Sequence, residues 1–163
     1  MSREEFDGIV SKILMENPNH PDISIRKESI YAGGYPDRMW LEAEEMHGAQ
    51  FLVPYKQFID DHPDGDFYLF SQLLLPDPNS IYKIESHANN AFFPDGFITV
   101  IANGCGAYYG FIVVDGKCSD ELWFFDHEVQ AVVRAEIPDF FTFVLEGGLL
   151  CEYPEYRELL PTE

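Results

Sequence analysis

Three stretches of this chain hold residues able to do chemistry. Asn103-Gly104-Cys105-Gly106 sets a thiol between two glycines, and Asp126-His127-Glu128 sets an imidazole between two carboxylates. Asp60-Asp61-His62-Pro63-Asp64-Gly65-Asp66 crowds carboxylates into one short turn. With Gly110, the first stretch reads G-x-G-x-x-x-G, one residue off a dinucleotide-binding fingerprint. That fingerprint works because a helix follows the glycines and points its N-terminal N–H groups at a pyrophosphate. Here the glycines run into AYYGFIVV, a strand-forming sequence. The glycines therefore read as a hairpin turn, in which Asn103-Gly104 supplies positive φ values.

Cys105 as a nucleophile requires a base, and His127 is the natural candidate if the two strands are neighbours. Neither the papain-like nor the caspase-like local signature accompanies it. Three consecutive residues on an extended chain alternate sides, so Asp126-His127-Glu128 cannot converge on a metal alone, and no HExxH pattern helps. Counting Asp60 as the first position of a calcium loop puts Ser71 where a bidentate Glu is needed, and His62 is a poor ligand for a hard cation. No catalytic residue, metal ligand or cofactor is expected.

The chain has 163 residues, 46% hydrophobic and 15% aromatic, enough for one folded domain without disulfides. Cys105, Cys118 and Cys151 show no CxxC spacing and read as reduced thiols, although Cys105 and Cys118 could meet across a hairpin. No run has the length of a membrane span. MSREEFDGIVSKILMEN lacks the order of a secretory signal, and the expected location is cytoplasmic. Acidic residues number 29 against 10 basic ones, a net charge of −19. Such a field repels nucleic acid and anionic membranes and attracts a basic protein. It also serves solubility alone.

The elements that must position these groups begin with a capping box, Ser2 to Glu5, opening a helix of about 2–16 with Phe6, Ile9, Val10, Ile13 and Leu14 on one stripe. Residues 23–32 fit neither helix nor strand period. Further helices are expected from Asp37 to about Met46 and from Pro54 to Asp60, with Phe58 and Ile59 inward. Strands are expected at Phe67–Leu75, Ser80–Glu85, Phe97–Ala102, Tyr108–Val114 and Glu121–Asp126, with a weaker one at Val129–Ala135. An aromatic helix over Pro138–Gly147 closes the fold, and 148–163 reads as a loosely packed acidic tail. Helices, then a meander, then a helix predict an α+β fold around a mostly antiparallel sheet of five to six strands.

Two regions together resemble the SUKH superfamily. LEAEEMHGAQFLVPYKQFIDDHPDG, Leu41 to Gly65, is similar to the start of its members, with an Ala-Glu, a Gly, a Leu-Pro-like step and Tyr-Lys-x-Phe. FFPDGFITVIANGCGAYYGFIVVDG, LWFFDHE and PDFFTFVLEG resemble its second half, through Gly104, Gly106, Tyr108, Tyr109, Asp126, His127, Glu128, Phe140, Phe141 and Phe143. The resemblance covers 41–147. Val53-Pro54 departs from Leu-Pro, His62-Pro63-Asp64 stands where an Asn is usual before the Gly, and residues 1–40 have no clear counterpart.

The resemblance implies an α+β protein-binding module. Bacterial members include immunity proteins that neutralise a cognate toxin, often a nuclease, and fungal relatives regulate cell-wall synthesis. The expected function is binding of a basic protein, a cognate toxin domain, with a regulatory or scaffold role and a Cys105/His127 hydrolase as the alternatives. The expected partner-binding residues are acidic and lie on turns and strand ends: Asp60, Asp61, Asp64, Asp66, Asp115, Asp120, Glu121, Asp126 and Glu128. Trp123 and Tyr109 are aromatic candidates, for contact with a partner or for sheet packing.

Overall fold

The computed structural model describes residues 1–20, 30–63 and 71–161. Residues 23–29 of the ambiguous segment, 67–70 of the first expected strand, and Asp64 and Asp66 lie outside the described residues. The fold is α+β, with five α-helices and a seven-stranded antiparallel sheet among those residues.

Helix α1 (Arg3–Glu16) starts with the expected capping box. Ser2 N–H donates to Glu5 Oε2 at 2.7 Å, and Glu5 N–H donates to Ser2 Oγ at 3.2 Å. Phe6, Ile9 and Ile13 are its buried stripe. Helices α2 (Asp37–His47) and α3 (Val53–Asp61) follow, and Phe58 and Ile59 face inward with no exposed surface.

The sheet comprises β1 (Gln72–Leu73), β2 (Glu85–Ser86), β3 (Phe97–Ala102), β4 (Tyr108–Val114), β5 (Lys117–Cys118), β6 (Trp123–Asp126) and β7 (Ala131–Arg134). The main order is β1-β3-β4-β6-β7, with β2 also on β3 and β5 also on β4. The Asn103–Ala107 connection is the expected hairpin: Asn103 Oδ1 accepts N–H bonds from Cys105 (2.8 Å) and Ala107 (2.9 Å). The positive φ values there belong to Gly104 (74°) and Gly106 (90°); Asn103, expected to share them with Gly104, instead caps the turn through its side chain.

Helices cover one face of the sheet. Tyr55 of α3 meets Phe111 of β4, and Phe143 of α4 (Phe140–Glu146) meets Tyr109. Phe6 of α1 contacts Phe58 and Phe141, so the first helix belongs to the same core. The opposite face carries a second cluster, Phe93, Phe97 and Phe125, flanked by Tyr108, Trp123 and Val132. Alternation along β6 explains the split, since Trp123 and Phe125 face one way and Phe124 the other.

The structure corrects two expectations. Ser80–Glu85 is not a continuous strand: ladder pairing begins only at Glu85 and Ser86, Lys83 makes an isolated bridge to Leu75, and residues 80–82 turn. Asp77 Oδ1 accepts from Asn79 N–H at 2.9 Å and Ser80 Oγ from Tyr82 N–H at 3.0 Å, side-chain bonds that compete with a ladder. The tail is not loose either. Leu149 and Leu150 of α5 (Leu149–Glu152) have no exposed surface, and a 3-10 helix follows over Pro154–Leu159. Tyr156 donates its hydroxyl to Glu16 Oε2 at 2.6 Å, and Arg157 pairs with Glu146 at 3.0 Å. Apolar burial of the leucine pairs outweighs the acidic composition that suggested an extension.

Candidate functional site

The nominated acids sit in three different settings. Asp60, at the end of α3, is half-buried. Its Oδ1 accepts Tyr35 N–H at 3.0 Å and Trp40 Nε1–H at 2.9 Å, which ties the loop before α2, α2 itself and α3 together. Its Oδ2 receives no hydrogen bond from the described residues.

A second group is already paired or locally bonded. Asp61 binds Arg3 at 2.7 Å, and Arg3 also binds Asp7 at 2.8 Å. Glu121 pairs with Arg134. Asp126 Oδ1 accepts Glu128 N–H at 2.9 Å and thereby shapes the β6–β7 turn. The third group is exposed, and its side chains take no hydrogen bond or ion pair among the described residues. It consists of Asp115 at the β4–β5 tip, Asp120 and Glu128.

These residues do not converge on one spot. Tyr108 pairs with Phe125 at one end of β4, beside Asp126, whereas Val114 pairs with Lys117 at the other end, beside Asp115. The β4 strand keeps the two tips apart. Asp120 is separate again, on the rim of a pocket of about 320 Å³ with Leu52, Pro54 and Phe140.

The imidazole packs on the turn that carries the thiol, with no hydrogen bond between the two. His127 lies over Gly106, where an added Cβ would stand 2.7 Å from its Cε1, and its ring lies against Phe92. Cys105 is exposed and makes no hydrogen bond to His127. Cys105 and Cys118 are not joined. Burial, with Glu44 nearby, pushes the Cys118 thiol up to about 12. Among the described residues, no group of three or more His, Cys, Asp and Glu is placed to hold a metal ion. Trp123 and Tyr109 both serve sheet packing, Tyr109 against Phe124 and Phe143 and Trp123 in the second cluster.

The setting that sequence reasoning missed is a groove of about 410 Å³ between α2 and α3. Asp37, Leu41, Glu44, Val53, Lys56 and Asp60 line it. Lys56 Nζ is held by Glu44 Oε1 at 2.8 Å, and the same oxygen accepts Phe51 N–H at 3.1 Å. Leu41 and Val53 are 63% and 60% exposed, although both sit on helices with well-buried neighbours. The signal was present in the sequence: Leu41 is apolar beside Trp40 and so falls off the buried stripe of α2. At the far end of this helix, His47 Nδ1 lies 2.7 Å from Ser86 Oγ, and burial holds its imidazole down at about 4.

Every described arginine already has a carboxylate partner: Arg3 with Asp7 and Asp61, Arg38 with Glu42, Arg134 with Glu121, and Arg157 with Glu146. The excess of acids over bases therefore appears as unneutralised acceptors on the surface. Such a surface can attract and hydrogen-bond cations. No helix among the described residues is long and apolar enough to cross a membrane. The chain matches no protein-family model, no curated protein and no solved structure.

Proposed function

We propose that this protein is a binding module for a basic protein, and that it acts as a SUKH-like immunity protein against a toxin domain such as a nuclease. The observation that carries the reading is the charge economy of the surface. The described arginines are each paired with a carboxylate of the same chain, while the acids outnumber the bases by 19. A toxin that grips nucleic acid presents the complementary basic face, and an acidic module covers that face while associating quickly. The resemblance of 41–147 to SUKH members supports the same reading.

The test is co-expression with a basic toxin domain encoded beside this gene. Restored growth and a co-purifying complex are expected, with affinity falling steeply as salt shortens the screening length from about 10 Å toward 3 Å. Continued killing with no complex at low salt removes the immunity reading for that pair. Binding that does not respond to salt removes the electrostatic basis.

A further inference from the structure

We infer that the groove between α2 and α3 is the docking site for an arginine side chain of the partner, with Asp60 as its anchor. The inference rests on the reading above that the partner is basic, and it names the part of the surface that does the recognising.

A carboxylate has about four acceptor positions over its two oxygens. Asp60 spends Oδ1 on two donors, Tyr35 N–H and Trp40 Nε1–H, and these bonds fix the plane of the group. Oδ2 takes no hydrogen bond from the described residues, which leaves it open to a donor that enters the groove. The nearest resident cation in the groove does not relieve it, because Lys56 Nζ is committed to Glu44. Among the described residues that line the groove, Asp37, Glu44 and Asp60 face one cation, Lys56, so this lining carries a net negative charge.

The walls favour arginine. Leu41 and Val53 stand exposed at the rim, where they add nothing to the core. A long aliphatic stem laid against them buries that surface, and the planar, weakly hydrated guanidinium then donates one N–H to Asp60 Oδ2 and another toward Asp37. An ammonium has no fork to divide between the two acceptors and is more costly to dehydrate. Among the described acidic positions expected from sequence, Asp60 alone combines a fixed carboxylate, an open oxygen and apolar walls. Asp115 and Glu128 are solvated tips, and Asp61 and Glu121 are neutralised.

The experiment titrates ¹⁵N-labelled protein at low salt with an acetylated, amidated Gly-Arg-Gly peptide, and in parallel with Gly-Lys-Gly and Gly-Gln-Gly. The Trp40 indole N–H, bonded to Asp60, is the reporter, and the Trp123 indole is the internal control. The expected result is a saturable shift of Trp40 with the arginine peptide, weaker with lysine and absent with glutamine. Asp60→Asn keeps the acceptor for Tyr35 and Trp40 but removes the charge, and it should weaken arginine binding about tenfold or more, as expected for loss of a charge-assisted bond. Val53→Lys, at an exposed position, supplies a resident cation and should block binding even if Asp60→Asn proves unstable. Glu136→Gln, elsewhere on the surface, should change nothing.

No saturable Trp40 shift, equal binding by Asp60→Asn or Val53→Lys, or shifts spread evenly over all the acidic turns would each overturn the inference. The two readings fail separately. Arginine binding in the groove with no protection against any basic toxin domain removes the immunity function and keeps the site. Protection and complex formation that survive both groove variants remove the site and keep the function.

Discussion

Replacing Gly110 by alanine tests the pairing at the centre of the sheet. Gly110 lies opposite Thr99 in the β3–β4 ladder, next to the register shift between Thr99 and Ile101. A Cβ at this position would stand 1.9 Å from Ile98 O and 2.8 Å from both Ile98 C and Thr99 Cα. All three atoms are backbone, so no side chain can rotate away. A tolerable C···O contact is about 3.3 Å, so β3 would have to withdraw by roughly 1.4 Å. That displacement costs the usual overpacking penalty of about 1–3 kcal/mol and weakens adjacent ladder bonds worth about 1 kcal/mol each. Alanine recovers about 0.5–1 kcal/mol of backbone entropy, which leaves a loss of about 3 kcal/mol. Urea denaturation followed by tryptophan fluorescence should show the midpoint fall by about 1.5 M for an m-value near 2 kcal/mol/M. Gly8 is the internal contrast: it lies in α1 with nothing within 4 Å of an added Cβ. Gly8→Ala should raise stability by about 0.5–1 kcal/mol. A Gly110→Ala midpoint at or above that of the wild type would refute the close approach of β3 and β4.

Three further outcomes follow from buried groups. The Tyr55 hydroxyl is buried among the rings of Trp40, Phe51, Phe111 and Phe140 with no hydrogen-bond partner, so Tyr55→Phe should stabilise the fold by about 1 kcal/mol. A clear destabilisation on equilibrium unfolding would show that the hydroxyl is bonded. His47 is held down at about 4 by burial, against 6.5 when unfolded. Above pH 6.5 neither state is protonated there; between 6.5 and 4 the unfolded chain gains a proton the native state refuses, so stability falls as pH falls. The wild type should therefore lose more stability than His47→Gln across that window, and parallel curves for the two would contradict the burial. Cys105 and Cys151 are exposed, whereas the Cys118 thiol is buried and pushed up to about 12. Native protein should thus release colour from a disulfide reagent at two thiols quickly and at the third only on unfolding. Three fast thiols would mean that β5 opens readily.

Much of the fold was legible because its signals are local. Ser2 and Glu5 are three residues apart, and their capping box needs no other part of the chain. The strands Phe97–Ala102 and Tyr108–Val114 are bounded as expected, because glycine and asparagine punctuate a β-branched and aromatic run on both sides. Ser80–Glu85 failed for a related reason. Its apolar residues, Ile81 and Tyr82, look strand-like, yet neighbouring hydroxyl and carboxylate groups bond the backbone first.

The candidate site was legible in its chemistry alone. Charge counts and turn signals identify Asp60, Asp61, Glu121 and Asp126 as acids at exposed ends, but nothing local says which of them stays unneutralised. That depends on partners far along the chain: Arg3 for Asp61, 58 positions away, and Tyr35 and Trp40 for Asp60. The groove depends on two helices lying side by side, and the anchoring of the tail depends on Glu16 meeting Tyr156, 140 positions apart. By itself the sequence determined the periods, the caps, the turn at Asn103-Gly104 and the sign of the surface field, because each follows from residues in contact along the chain or from a sum over all of them. Only the tertiary structure decided which carboxylate is clasped, which is paired and which keeps an open oxygen, because those outcomes belong to neighbours that folding alone brings together.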